Sequence, residues 1–318
     1  MAVPRVDAER IRDHVDRLGE RYPPIDLDSV DYSVRDPAAV RTRFARALAY
    51  MARVELEVER NVLELNVLLP GVSEIDRRFY ADVWSPQEAQ HGLVLDRLAR
   101  RLKIAEPDPN LDRIPARVRV LGVLAHVPAI QDIIRLLYYL TGAATEKSAM
   151  LAYQAMSDGL GGMGELAIKN TVVDAIKVQE PGHFAFYRLS ATHMLQAGVL
   201  APWQLHLARV LRSRSFGLVG AHTRRQRQDF GGVIVNLGMD EDLHSTIRDI
   251  VRVENNLLWA RDHGLPVPAY AVAAFQDAIS LYHAQATDHE TTGTGPDRVS
   301  TDHAVVRLGT SCQTSRVA

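Results

Sequence analysis

The strongest constraint in this sequence is a helical stripe that is apolar except for one charge. Phe44, Leu48, Met51, Glu55, Val58, Val62, Leu65 and Leu69 recur in steps of three and four, the spacing of one face of an α-helix. A carboxylate in such a face enters a core only with a partner that compensates its charge. Glu57, Glu59 and Glu64 lie on the same helix, but Glu57 and Glu59 turn toward the two edges of the face. Glu55 is therefore the choice here, with Glu59, one turn further on, in reserve.

The stripe belongs to a helix over 36–69, ended by Pro70-Gly71. A second helix is predicted from about Glu74 to Lys103, disturbed at Ser85-Pro86 and closed by Pro107-Asp108-Pro109. The third runs from Pro128 to about Met156 and stops at Gly159, Gly161, Gly162 and Gly164. The fourth covers Glu165 to Leu195, with Pro181-Gly182 inside it. A π-bulge is the expected accommodation of that proline, and a plain break after Gln179 the alternative. With 20 Gly and 15 Pro in 318 residues and only 6% aromatics, strand-and-turn architectures are disfavoured. The expected fold is all-α, a four-helix bundle with additional C-terminal helices over Pro202 to Ser215, Leu243 to His263 and Ala269 to Ala286. Residues 1–35 read as an N-terminal segment, 36–286 as the helical domain, and 287–318, polar and aperiodic, as a disordered tail.

Two pairs of the form Glu-x-x-His stand on these helices, Glu88 with His91 and Glu180 with His183. Residues three apart share a helix face, so each pair aims a carboxylate and an imidazole at one point. Two-metal carboxylate sites in bundles use two such pairs plus one Glu from each of two other helices. The third helix offers only Glu146, the sole carboxylate between Asp132 and Asp158. Glu55 precedes Glu88 by 33 residues and Glu146 precedes Glu180 by 34, as two equivalent helix pairs require. Four carboxylates balance two divalent cations, and an oxygen and nitrogen donor set suits iron, with manganese the alternative. A third pair, Glu241 and His244, reads instead as the acidic first turn of a short helix. His126, His193, His206 and His222 read as ordinary surface or core positions.

Charge and cysteine content narrow the setting. With 37 Lys+Arg against 39 Asp+Glu, the formal charge of −2 leaves no excess for nucleic acid. The one cysteine, Cys312, excludes an intrachain disulfide and a cysteine metal cage, and a cytoplasmic location is expected. The most apolar stretch, Val118 to Leu140, is interrupted by Arg119, His126, Pro128, Asp132 and Arg135, so no membrane span is expected.

These residues resemble the soluble acyl-acyl carrier protein desaturases, which are ferritin-like diiron enzymes. The family segment W-T-A-E-E-N-R-H-G is matched by Trp84-Ser85-Pro86-Gln87-Glu88-Ala89-Gln90-His91-Gly92, and D-E-K-R-H-E by Gln179-Glu180-Pro181-Gly182-His183-Phe184. The family's Leu-Asn-x-Leu turn, about ten residues beyond its first lone Glu, is matched by Leu65-Asn66-Val67-Leu68, and its third-helix Glu by Glu146. The likeness covers roughly 40–190, with a weaker similarity of helical layout to about 285. It implies a ferritin-like bundle with two iron ions held by Glu55, Glu88, His91, Glu146, Glu180 and His183. It also implies O2-dependent oxidation of an acyl chain on acyl carrier protein, a ferredoxin-like electron donor and a homodimer. Arg97, Arg100 and Arg101, or Arg224, Arg225 and Arg227, are the surfaces on which an acidic carrier could dock. Ala149 stands where the family often has a hydroxyl, Gln179 where it has Asp, and Gln90 and Gly182 where it has Arg, which marks a divergent member. Arylamine N-oxygenases of similar design add a histidine where Ile176 stands here. Desaturation and hydroxylation stay open, as does a non-catalytic metal-binding role.

Overall fold

The computed structural model describes residues 5–105, 109, 111, 114, 116–259 and 266–292. Helix α1, Ala8–Arg21, lies inside the segment expected to precede the fold and is capped by Asp7, whose carboxylate accepts from Arg10 N. Its Ile11, Val15 and Leu18 are buried, at the i, i+4, i+7 spacing that commits a helix to a core. Asp36 caps α2, Pro37–Leu56, with Pro37 in the first turn, where its missing N–H costs nothing.

The helix expected over 36–69 divides at Glu57 into α2 and α3, Val58–Leu68. Glu57 takes φ −78° and ψ 4° and carries its side chain inward, where Arg53 at 3.2 Å and Arg60 at 2.9 Å neutralise it. A buried carboxylate so placed needs that pairing, and neither the break nor the ion network is visible in hydrophobic periodicity. Helices α4, Glu74–Arg78, and α5, Ser85–Arg101, are joined by a π-helical turn over Phe79–Trp84, just ahead of the expected disturbance at Ser85-Pro86. After α6, Ala116–Leu124, the long α7 spans Pro128–Gly162, passing through Gly159 and Gly161 before Gly164 reverses the chain at φ 73°. The glycine cluster thus closes the helix later than expected, because only the last of these glycines takes the left-handed conformation.

Helix α8, Leu166–Ile168, a π-helical turn over Lys169–Val173 and α9, Asp174–Lys177, lead to α10, Glu180–Gln196. No bulge forms at Pro181. The helix breaks at Val178 and Gln179 and restarts, so Pro181 falls in a first turn, where no N–H is needed. Then come α11, Pro202–Arg214, α12, Arg224–Asn236, α13, Leu243–Ile250, α14, Arg252–Glu254, a π-helical turn Asn255–Trp259 and α15, Ala269–Thr292. The last helix passes the boundary set at 286, and residues 293–318, the rest of the expected tail, lie outside the described residues. The protein is all-α, with no strand among the described residues.

Helices α2 and α5 run antiparallel. Arg41 near the start of α2 reaches the Leu102 carbonyl past the end of α5, at 3.3 Å, and Leu56 at the other end meets Gly92, where a Cβ would come within 2.9 Å of it. Helices α7 and α10 pack equally closely: a Cβ on Gly142 would lie 2.4 Å from the ring of Tyr187. One hydrophobic cluster includes Leu48, Met51, Val94, Leu95, Ala152, Tyr153 and Ile176, and a second includes Val58, Tyr80, Trp84, Tyr139, Ala143 and Phe186. Each of α2–α3, α5, α7 and the α9–α10 segment passes from one cluster to the other, and its acidic residue lies within a turn or two of the crossing. Full burial of each large side chain in these clusters is worth about 1.5–3 kcal/mol, which is the energy that holds charged groups at the seam.

Candidate metal centre

All six expected residues meet at that seam, and all are buried: Glu55, Glu88, Glu146 and Glu180 expose 8%, 5%, 6% and 1%, and both histidines 0%. They form two overlapping groups whose ligand atoms lie within 4.8 Å of one another, Glu88, Glu146, Glu180 and His183 in one, Glu55, Glu88 and His91 in the other. Glu88 belongs to both. Glu180 also faces both rings, at 3.3 Å from His91 Nδ1 and 3.7 Å from His183 Nδ1. Glu88 and Glu180 are thus central, while Glu55 and Glu146 sit at the outer ends.

Each outer carboxylate is fixed by an aromatic donor. Tyr153 OH donates to Glu55 Oε1 at 2.9 Å and Trp84 Nε1 to Glu146 Oε1 at 3.3 Å. Each histidine is fixed by an amide from the opposite helix pair. His183 Nε2 lies 2.6 Å from Gln87 Oε1, and His91 Nε2 lies 2.9 Å from Gln179 Oε1. The amides are themselves oriented from the N-terminal segment, because Gln87 Nε2 donates to the Tyr22 carbonyl and Gln179 Nε2 to the Pro23 carbonyl, the latter at 3.2 Å. With each amide nitrogen committed to a carbonyl, its oxygen faces the ring, so Nε2 of each histidine is the protonated nitrogen. In the neutral imidazoles both Nδ1 atoms then point at the carboxylates with a lone pair, the form in which they bind a cation.

Charge balance decides what such a cluster can hold. Burial pushes the carboxyls of Glu55 and Glu146 well above the usual range, and the neighbouring Glu88 charge pushes them further. Burial acts the same way on Glu88 and Glu180, but close neighbours outweigh it and hold both below the usual range, Glu55 and the two imidazoles beside Glu88 and the two imidazoles beside Glu180. Burial would lower His91, yet Glu180 and Glu88 raise it to about 10. Glu88 Oε1, Glu180 Oε1, His91 Nδ1 and His183 Nδ1 are buried without a hydrogen bond. Buried polar atoms are rarely left so, and four of them converging with lone pairs fit a cation donor set. The six residues are compatible with a metal site.

The positions set aside as ligands stand apart. Glu59 is exposed on α3. Glu241 and His244 are exposed too, and α13 is capped by Asp242, so Glu241 precedes the helix instead of opening it. What sequence reasoning missed is the role of the glutamines. Gln87 and Gln179 each stand directly before a Glu-x-x-His pair, so the repeated unit is Gln-Glu-x-x-His, and this longer repeat was the available signal.

Two small cavities of about 60 and 80 Å3 flank the outer carboxylates and share Val54, Glu55, Thr145, Ala149 and Val219 in their walls. The first continues between Met51, Phe230 and Met239, and the second between Tyr138, Gly142 and Tyr187. Apart from the ligands the linings are largely apolar. Ala149 adds no hydroxyl, but Thr145 and Ser148 bring two to the same wall.

Comparison with protein-family models, with curated proteins and with solved structures gives no match. The class is therefore defined by fold and site: an all-α protein whose helices bury a carboxylate and histidine cluster compatible with metal. Among the described residues, no helix is long and apolar enough to cross a membrane.

Proposed function

We propose that this protein is an O2-dependent diiron oxidase acting on an acyl chain, most simply a desaturase of acyl-acyl carrier protein. The observation that carries the reading is the set of four unbonded inward atoms from two histidines and two central glutamates, flanked by two further buried glutamates. Glu55 and His91 would hold one iron, Glu146 and His183 the other, and Glu88 and Glu180 would reach both; manganese is the alternative metal. When bound, the iron pair supplies the oxidising power that an unactivated C–H bond demands.

The chain's own residues supply position and exclusion. Gln87 and Gln179 hold each imidazole with Nδ1 inward, Tyr153 and Trp84 hold the outer carboxylates, and the apolar cavities along Val54, Ala149 and Val219 exclude water where an alkyl chain would lie. A ferredoxin-like donor, a carrier-borne substrate and a homodimer belong to the same reading through the motif resemblance. Hydroxylation is the alternative outcome on the same site. Anaerobic Fe(II) titration followed by mass spectrometry of acyl-carrier substrates tests the reading: two irons per chain and a product two mass units lighter are expected, and a gain of sixteen indicates hydroxylation. A stoichiometry well below two irons per chain would rule it out.

A further inference from the structure

Of the 20 aromatic residues in this chain, seven pack in one cluster against the metal centre: Phe79, Tyr80, Trp84, Tyr138, Tyr139, Phe186 and Tyr187. The cluster begins at Trp84, whose indole donates to Glu146. From Trp84 the ring of Tyr80 is 5.8 Å away, centroid to centroid. Phe186 is 5.8 Å from Tyr80, and Tyr139 is 6.1 Å from Phe186. Tyr80 and Trp84 both stand on the π-helical turn Phe79–Trp84, a local geometry common at functional sites. The far end differs chemically from the middle. Tyr139 OH donates to Asp76 Oδ1 at 2.6 Å, while the Tyr80 hydroxyl is buried without a hydrogen bond. Asp76 and Tyr139 line a cleft of about 210 Å3 together with Ser73, Arg135 and His193.

We propose that this line of rings carries oxidising equivalents from the metal centre to Tyr139 when no substrate consumes them. The inference rests on the diiron reading above. Neutral indole and phenol give up an electron only to a strong oxidant, so the line cannot serve a low-potential donor delivering electrons inward. It suits transfer of a hole outward. The oxidant is O2 activated at the loaded centre. One electron passes from Trp84 to the centre, Tyr80 restores Trp84, and Tyr139 restores Tyr80 across the edge of Phe186. A phenol that loses an electron becomes a strong acid, and of the two phenols on this path only Tyr139 has a carboxylate to take the proton. It passes that proton to Asp76 and remains as a neutral radical, and the centre is reduced by one electron. A small one-electron reductant, such as ascorbate or a thiol, then restores Tyr139 from the cleft as Asp76 returns the proton. The path would protect the site from damage during uncoupled turnover.

The test is a pulse of O2 to Fe(II)-loaded protein without substrate, freeze-quenched for electron paramagnetic resonance and digested for peptide mass spectrometry. The expected result is a tyrosyl radical signal with oxidation products at Tyr139. Tyr139→Phe should remove the signal while iron stoichiometry and O2 uptake stay as in the parent, and Asp76→Asn should shorten its lifetime. Survival of the signal in Tyr139→Phe with loss in Tyr153→Phe, the tyrosine on Glu55, overturns the assignment. O2 uptake with no organic radical overturns the path alone. Failure to bind iron or consume O2 overturns the diiron reading, and the path falls with it.

Discussion

Gln87 stands beside Glu88 in sequence yet orients His183, 96 residues away on the opposite helix pair, at 2.6 Å; Gln179 does the same in reverse for His91. Each Gln-Glu-x-x-His unit thus supplies a carboxylate and an imidazole of its own and positions the imidazole of the other. The two units are interlocked, and the carbonyls of Tyr22 and Pro23 lock both amides. An amide acceptor leaves the imidazole a weaker donor to metal than a carboxylate acceptor would.

Replacing either glutamine should therefore weaken metal binding without removing a ligand. Gln87→Ala and Gln179→Ala are each expected to lower Fe(II) affinity about 10–100-fold, as loss of such outer hydrogen bonds commonly does. Gln87→Glu should retain or strengthen binding. Anaerobic metal titration measures this, and unchanged affinity in both alanine variants would show that the rings are held by packing alone.

Ligand assignment has a sharp contrast across the break between α2 and α3. Glu55→Ala, Glu146→Ala and Glu180→Ala should each abolish stable two-iron loading, whereas Glu59→Ala and Glu241→Ala, both at exposed positions, should leave it unchanged. Elemental analysis after desalting is sufficient. Iron loss in Glu59→Ala would transfer the role away from Glu55.

The metal-free protein should lose stability as pH rises. His91 has its folded value raised from 6.5 to about 10, since the adjoining carboxylates of Glu180 and Glu88 outweigh burial. A raised histidine contributes stability fully below 6.5 and loses it between 6.5 and 10. Glu55 and Glu146, raised well above 4.5, act with the same sign, because the folded chain keeps protons that the unfolded chain has released. Urea midpoints from pH 6.5 to 10 should fall in the metal-free protein and stay flatter after metal loading, since bound cations replace those protons. A flat metal-free profile would contradict this charge balance.

Cavity and packing effects should separate in two neighbouring substitutions. Ala149→Leu fills the wall shared by both cavities, so it should leave iron stoichiometry intact while lowering turnover of long acyl substrates and shifting preference to shorter ones. Gly142→Ala puts a methyl 2.4 Å from the Tyr187 ring, and overpacking of that kind costs about 1–3 kcal/mol. Denaturant unfolding reads the second and product analysis the first; equal turnover of all chain lengths by Ala149→Leu would exclude these cavities as the substrate slot.

Helical periodicity marked Glu55, because a helix face exposes its pattern every three or four residues and one charge in that pattern is conspicuous. Spacing of three marked Glu88 with His91 and Glu180 with His183 for the same local reason, and Glu146 stood out because its surroundings hold no other carboxylate. Those features are properties of single helices and can be read along the chain. Tertiary structure decided the rest. The break at Glu57 follows from an ion network of Arg53 and Arg60 in a buried setting, and the restart at Glu180 turns Pro181 from an obstacle into a first-turn residue. The crossing of Gln87 to His183, the anchoring of both amides by α1's exit at Tyr22 and Pro23, and the line from Trp84 to Tyr139 join residues that sequence distance keeps apart. Such contacts depend on how helices pack against one another. Packing is set by close approaches such as Gly92 on Leu56 and Gly142 on Tyr187, which no one-dimensional pattern encodes.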